Sequence, residues 1–260
     1  MMERLGAIFS LSLRLLLRSR KTIFMVLLAL MPVAGSAVAA AAIRFRFGEG
    51  AGTGFGLAAD LMSLVMLVLL VAVTLFYATA LIGDEVEDKT LTYIFVRPVP
   101  RAVIYAGKYL AASLTAGVLV IPSAALSFLI LISLDPPSEV GAHAVILAKD
   151  VGILLLGVLA YTGLFGLFGA WLKRPLLTGI LFSLGWESII TYIPGYIHRF
   201  TVMHYLQSLL PHASGQRGVL ALFNQVTPAP TAILSLLIIA AGTLALACWI
   251  VSRREYVLEA

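Results

Sequence analysis

GDEVEDKTLTYIFVRPVPR, residues 83–101, places a dense set of charges between two long runs that carry none. The run before it, residues 61–83, has 23 uncharged residues, and the run after it, residues 109–134, has 26. A helix of about 20 apolar residues crosses a bilayer core of about 30 Å. The sequence therefore predicts that the quoted stretch connects two membrane-spanning helices.

The composition of the whole chain supports a membrane class. The 260 residues are 61% hydrophobic and 12% charged, whereas about a quarter of the residues in a soluble domain are charged. Three more uncharged runs are long enough to span, at residues 22–43, at residues 151–172 and in the C-terminal half of residues 218–252. We predict an all-α integral membrane protein.

A sixth span, residues 175–198, is apolar but is interrupted by Glu187 and by Pro194-Gly195. The 18 lysines and arginines divide between the two sides of such a bundle as 13 and 5. Because cytoplasmic loops retain positive charge, both termini are expected in the cytoplasm, and six transmembrane helices satisfy that parity where five do not. The expected location is the cell membrane, inner or plasma.

This topology divides the chain into segments with separate roles. Residues 1–21 precede the transmembrane domain, which covers residues 22–252, and residues 253–260 form a cytoplasmic tail. Within the transmembrane domain, residues 83–108 form a cytoplasmic loop, and residues 187–230 form an external segment able to make short helices on the outer surface. The basic residues flank spans rather than forming a soluble patch, so no nucleic acid partner is expected.

Two further segments have a local interpretation. The glycine-rich residues 44–60 are expected to form a flexible external connection. The segment before the first span is predicted to be an amphipathic helix that lies in the membrane interface, and a simple basic anchor is the alternative. Its basic face comprises Arg4, Arg14, Arg18 and Lys21, and its apolar face comprises Leu5, Phe9, Leu13 and Leu16.

Several catalytic and metal-binding patterns are missing from the sequence. Gly107-Lys108 lacks the upstream glycine and the following hydroxyl residue of a phosphate-binding loop. The external histidines His198, His204 and His212 are six and eight residues apart, which is not the spacing of a helical metal pair. Cys248 is the single cysteine, so no disulfide forms within the chain. No catalytic residue, metal site or bound cofactor is predicted.

Two features inside the spans are more informative. Gly163, Gly166 and Gly169 recur every three residues, a spacing that lets a neighbouring helix approach closely. Glu187 lies about 20 Å into the fifth segment at helical rise, in the outer half of a bilayer core. A carboxylate there must face protein or water. It is either a gate or substrate-path residue, or an interfacial residue where the membrane segment ends early.

The connecting stretch itself has the pattern of a docking helix. Its carboxylates are expected to occupy the first turns of a short helix, where they complement the helix dipole. An apolar face follows at helical spacing, and the prolines end the helix. The carboxylates are Asp84, Glu85, Glu87 and Asp88, the apolar face is Leu91, Ile94 and Phe95, and the prolines are Pro98 and Pro100. A solvated connector would not need three aligned apolar residues.

At these residues the chain resembles the membrane subunit of a type-2 ABC transporter, the six-span permease family. The matching elements are Asp84-Glu85-x-Glu87-Asp88, Thr90-Leu91, the apolar residues 93–96, Arg97-Pro98-Val99-Pro100-Arg101 and Gly107-Lys108. The family often has glycine at the position of Lys89, which affects the turn more than the assignment. The resemblance covers the architecture of the whole chain and the motifs of about 25 residues.

The resemblance implies that this stretch is a coupling helix, which seats on a separate ATPase subunit. Two ATPase copies and two permease copies, as a homodimer or with a close paralogue, would form the working unit. ATP and Mg would then be bound by the partner. The implied contacts with the ATPase are Asp84, Glu85, Glu87, Asp88, Thr90, Leu91, Ile94, Phe95, Arg97, Pro98 and Arg101.

On the resemblance alone, export is expected rather than import, and nothing in the sequence selects a substrate. The permease would form the path along its dimer interface, with the segment after Glu187 as an outer gate. The alternatives are a secondary, ion-coupled transporter and a membrane enzyme or assembly factor without an ATPase partner. Co-purification with an ATPase separates the permease from both alternatives.

Overall fold

The computed structural model of the protein describes residues 2–47, 54–87, 100–135, 140–187, 190, 199–210 and 227–253. These residues are almost entirely helical. In chain order the helices are α1 Met2–Arg18, α2 Arg20–Phe47, α3 Gly54–Leu64, α4 Val71–Glu87, α5 Arg101–Ile132, α6 Val140–Trp171, α7 Pro175–Leu181, α8 Val202–Leu209 and α9 Ala229–Arg253. Two π-helical stretches, Val65–Leu70 and Phe182–Glu187, join α3 to α4 and extend α7.

Five helices in the described part of the chain are long and apolar enough to cross a membrane. They are Lys21–Arg46, Gly54–Ile82, Arg101–Ile132, His143–Trp171 and Ala229–Arg253. The predicted all-α multi-pass membrane fold is thus confirmed. The sixth predicted span begins as α7, seven residues, and a π-helical stretch of six. Most of its remainder lies outside the described residues, so its crossing stays a prediction.

The helices extend beyond the uncharged runs that predicted them. α2 continues past Arg44 and Arg46 to Phe47, and α3 already begins at Gly54. The flexible connection predicted over residues 44–60 is therefore wrong at both ends, and only residues 48–53 lie outside the description. The reason is that hydropathy identifies the residues that are stable in lipid, whereas a helix ends where its backbone hydrogen bonds end.

The expectation that a separate short helix begins at Asp84 is also wrong. α4, the helix of the second span, continues without interruption through Glu87. Asp84, Glu85 and Glu87 thus belong to its C-terminal turns. A single glycine, Gly83, does not end a helix, and no proline follows until Pro98. The rest of the predicted coupling helix lies outside the described residues: Asp88, Thr90, Leu91, Ile94, Phe95, Arg97 and Pro98.

The N-terminal helix is distinct from the first span. The chain bends at Ser19, whose carbonyl accepts a hydrogen bond from the Thr22 N–H at 3.0 Å. α1 packs on α5, with Leu16 against the apolar core and Arg14 exposed. Leu11 and Leu15 are also exposed, so the amphipathic helix in the membrane interface stays a prediction.

Side-chain contacts fix one end of the bundle. The Arg44 guanidinium donates to the Ser133 hydroxyl at 2.9 Å. The Gly54 N–H donates to Asp135 Oδ1 at 2.8 Å, and the Phe55 and His143 rings stack with centroids 4.8 Å apart. Here the C-terminal ends of α2 and α5 meet the N-terminal ends of α3 and α6.

Other contacts fix the opposite end. The Tyr77 hydroxyl donates to Thr22 Oγ1 at 3.0 Å, near the start of α2. The Lys108 ammonium donates to the Leu81 carbonyl oxygen at 2.9 Å. Cys248, near the end of α9, lies 3.7 Å from the Ala102 carbonyl oxygen. The helix ends on either side of residues 88–99 therefore lie at the same end of the bundle as the start of α2 and the end of α9.

Candidate functional site

Glu187 ends the π-helical stretch that follows α7, and it is only 3% exposed. Its Oε2 accepts a hydrogen bond from the Tyr161 hydroxyl of α6. Its Oε1 accepts a hydrogen bond at 3.2 Å from the N–H of Val202, the first residue of α8. One carboxylate thus joins three elements, which we call the Glu187 cluster: Tyr161, Glu187 and the N-terminus of α8. The carboxylate faces protein, and its role as a gate stays a prediction.

The N-terminus of α8 is arranged around that carboxylate. Thr201 caps the helix, because its hydroxyl oxygen accepts a hydrogen bond from the His204 N–H at 3.3 Å. The Val202 and Met203 N–H groups are then left without partners inside the helix, and both bond to Glu187. Donors of this kind and the positive end of the helix dipole favour a carboxylate at the site.

α8 lies inside the bundle rather than on its outer surface. Val202, Met203 and Leu206 are at most 4% exposed, and α8 packs against both α6 and α9. Leu206 approaches α6 at Gly157, where a Cβ atom would lie 3.1 Å from its Cδ1. The predicted short helix is therefore present, and the predicted surface location is wrong because its apolar face needs burial.

The external histidines do not form a common site in the described residues. His204 is buried, and its Nε2 lies 2.9 Å from Thr227 Oγ1. This hydrogen bond ties α8 to the segment that leads into α9. His198 and His212 lie outside the described residues. Within the described part of the chain, no group of three His, Cys, Asp or Glu side chains is placed to hold a metal ion.

A cavity of about 310 Å³ adjoins the Glu187 cluster. Both π-helical stretches contribute to its walls, through Val68 on one side and Ser183 and Leu184 on the other. Helical stretches of this kind are rare and occur frequently at functional sites. Val68 and Leu184 are more than half exposed, so the cavity opens on the side of the bundle. Its volume and mainly apolar lining suit a small apolar ligand.

The three glycines of α6 each meet a different neighbour. Gly163 faces Thr243 and Ala240 of α9. A Cβ atom at Gly166 would lie 2.5 Å from the Tyr105 hydroxyl and 3.2 Å from Leu81 Cδ1. At Gly169 it would lie 2.9 Å from the Thr79 carbonyl oxygen. The glycines are therefore the points at which α6 contacts α9, α5 and α4, as helix-packing positions.

The remaining predicted contact residue in the described part of the chain is Arg101. It is the first residue of α5, follows Pro100 directly and is half-buried. Pro100 has the extended backbone that precedes a helix start, with φ −57° and ψ 132°. Arg101 thus marks the start of the third span.

Sequence reasoning missed Tyr161, and it noted Lys108 only as part of a motif. Tyr161 is one of several aromatic residues in an apolar span, and nothing local distinguishes it. Its partner is 26 residues away in the chain. Lys108 had a usable signal, because a lysine eight residues into a span-length helix needs a partner.

The comparison with known families agrees with this architecture. A family model described as "ABC-2 family transporter protein" matches residues 15–192. That is 192 − 15 + 1 = 178 of the 260 residues, more than half of the chain. The match runs from α1 through the Glu187 position and includes residues 83–101. No curated protein matches the chain. The chain therefore belongs to the ABC-2 transporter family, as a multi-pass membrane permease subunit of a type-2 ABC transporter.

Proposed function

We propose that two copies of this chain form the transmembrane path of an ATP-driven exporter and that a separate ATPase subunit drives them through residues 84–101. The observation that carries the proposal is the hydrogen bond from Lys108 to the Leu81 carbonyl oxygen. It holds the two helix ends that bracket residues 88–99 side by side. A pull on that segment therefore acts on the second and third spans together.

The sequence of the segment supports ATPase docking. Leu91, Ile94 and Phe95 share one face at helical spacing, and carboxylates precede them. In the proposed cycle, ATP binding draws two ATPase subunits together, and the docked segments tilt the two permease copies. The permease supplies the path, and the partner supplies the nucleotide chemistry.

The transport path would include the cavity beside the Glu187 cluster. The cavity is bounded by the second span and by the segment after α7. Glu187 and Met203 of α8 are among the residues that line it. Opening the path would require α8 to move away from Tyr161 and Glu187. We assign Glu187 the role of a gate residue on this ground.

An ion-coupled transporter is the second candidate. One observation favours it: α6 also contains Asp150, which is fully buried. Two buried carboxylates within apolar helices are typical of proton or cation pathways. Flux that follows an ion gradient without ATP would select this candidate, and flux that needs ATP would select the exporter.

The proposal predicts that Leu91→Asp with Ile94→Asp abolishes ATPase pairing while the permease still inserts in the membrane. A charge on the apolar face would have to be buried against the ATPase, which costs several kcal/mol for each carboxylate. The measurement is the amount of ATPase that co-purifies with the tagged permease.

Val99→Asp is the control for an added carboxylate, because it introduces one between the two prolines rather than on the apolar face. It should retain pairing. Normal ATPase pairing of the double variant would contradict the docking model.

A further inference from the structure

We propose that Lys108 is a positioning residue for coupling: its ammonium group locks the end of α4 to α5, so that ATPase movement reaches the cavity wall. The proposal rests on the proposed function, since it concerns how force from residues 88–99 is transmitted. It adds a specific residue and a specific contact, neither of which docking itself requires.

The contact joins α4, near its C-terminal end, to the first turns of α5. Leu81 lies six residues before the end of α4, and its carbonyl oxygen accepts from Lys108 Nζ at 2.9 Å. A carbonyl oxygen has two lone pairs, so it can accept from Lys108 in addition to an N–H of its own helix. The lysine is half-buried, and a charged group in that position favours a nearby acceptor.

α6 packs against both α4 and α5 at this level. Tyr105 of α5 is fully buried, and its hydroxyl occupies the space beside Gly166 together with Leu81. One turn further, the backbone of Thr79 lies against Gly169. These contacts bring α4, α5 and α6 into close packing at this level. We call α4 from Thr79 to Leu81, α5 from Tyr105 to Lys108, and Gly166 with Gly169 the coupling block.

The block reaches the cavity along α4. Leu75 and Phe76 line the cavity and lie five or six residues before Leu81. At helical rise that is about 9 Å along one rigid helix. A displacement of the block therefore moves the cavity wall. Without the Lys108 contact, α4 and α5 would be joined at this end by apolar packing, and part of the displacement would be lost between them.

The test uses the full permease–ATPase complex and needs no knowledge of the cargo. Spin labels at Val68→Cys and Leu184→Cys, in a Cys248→Ser background, report the width of the cavity. Both positions are exposed. Distance distributions are measured without nucleotide and with Mg-ATP trapped by vanadate. ATP hydrolysis and co-purification of the ATPase are recorded for the same samples.

Lys108→Met keeps the length of the side chain and removes its charge and donors. It should retain ATPase pairing and hydrolysis but reduce the nucleotide-dependent change in label distance about fivefold or more. Lys108→Arg keeps the charge and should restore most of that change. Lys149→Met removes an exposed lysine from α6 and should behave as the parent protein.

Three results would overturn the assignment of Lys108. They are a full distance change in Lys108→Met, failure of Lys108→Arg to restore the change, and loss of ATPase pairing in Lys108→Met, which would place Lys108 in docking. A parent complex that lacks pairing, or shows no distance change with nucleotide, would instead refute the proposed function, and the role of Lys108 with it.

Discussion

At the scale of single residues, the Glu187 carboxylate carries more connections than any other feature of the bundle's interior described above. Burial of a carboxylate is costly unless donors surround it. Here the donors come from the Tyr161 hydroxyl and from the Val202 N–H at the start of α8. Since these groups belong to different elements, the hydrogen bonds to the carboxyl group hold α8 against α6.

Glu187→Gln is expected to loosen α8 without affecting assembly. The amide keeps one oxygen for Val202, but its NH₂ group cannot accept from Tyr161. We expect backbone amides 202 and 203 to exchange hydrogen about tenfold faster, as the loss of roughly 1–2 kcal/mol would give. Transport should change, and ATPase pairing should not. Hydrogen exchange monitored by mass spectrometry provides the measurement.

Tyr161→Phe removes the same hydrogen bond from the other partner and should not add to Glu187→Gln in the double variant. Tyr205→Phe, a half-buried tyrosine of α8, is the matched control. If transport and exchange are unchanged in Glu187→Gln, Glu187 is not a gate residue.

How far the sequence predicts this site depends on the residue. Glu187 stands out because it is a carboxylate in an apolar segment, which must find protein or water. Tyr161 does not stand out, because a tyrosine is compatible with an apolar span. Their contact depends on how α6 packs beside α7, and that packing is a tertiary property with no local sequence signal.

At the scale of elements, α6 is the helix around which the others are arranged. It packs against α4, α5 and α9. Gly163, Gly166 and Gly169 face these neighbours in turn, each rotated by about 60° from the previous one, because three residues fall short of a full turn. Close packing without side chains stabilises helix association in lipid.

Gly169→Ala is expected to destabilise the permease by about 1–3 kcal/mol, the usual cost of overpacking. The new methyl group would lie 2.9 Å from the Thr79 carbonyl oxygen, and a backbone atom cannot rotate away. Gly152→Ala on the same helix is the control, because no atom lies within 4 Å of its added methyl group. It should be neutral or slightly stabilising. Thermal unfolding in detergent compares the two variants, and equal transition temperatures would contradict the packing model.

The elements themselves were predictable where lipid determines them. Uncharged runs identified the five span-length helices, since only a continuous helix satisfies its backbone in a bilayer. Their ends were not predictable from hydropathy, as α4 shows by continuing through Glu87. α8 was placed outside because an amphipathic helix suits either a membrane surface or a buried groove. Its contacts with Glu187 and Gly157 decide between them.

At the scale of the whole molecule, the two ends of the bundle have different roles. The helix ends that flank residues 88–99, the start of α2 and the end of α9 share one end. The other end is closed by Arg44 with Ser133 and by Gly54 with Asp135. The excess of lysine and arginine predicts that the first end faces the cytoplasm.

A labelling experiment on intact cells tests this orientation. In a Cys248→Ser background, Phe45→Cys lies beside Arg44 and should react with a membrane-impermeant maleimide. Arg174→Cys, just after the end of α6, should react only after the cells are opened. Both positions are exposed. The reverse pattern would place residues 88–99 outside the cell and rule out an intracellular ATPase on them.

The exposed sides of the bundle were not predictable from composition. In the most apolar stretch of the second span 75% of the residues are buried inside the bundle, whereas in the first and last spans 22% and 17% are. All three are similarly apolar, so hydropathy alone does not distinguish inner from outer helices. The outer faces of α2 and α9 must be covered by lipid or by a second permease, and the proposed dimer would use part of that surface.

The two π-helical stretches beside the cavity have a consequence for how the walls could rearrange. A π-helical turn holds one residue more than the α-helical turn around it. Moving that extra residue along the chain would rotate the side chains that it passes by about 100° and shift them by about 1.5 Å along the helix axis. In the cavity wall that contains Leu184, this shift would bring different residues into the lining while the helix stays continuous. The lining of the cavity would thus change in steps of one residue.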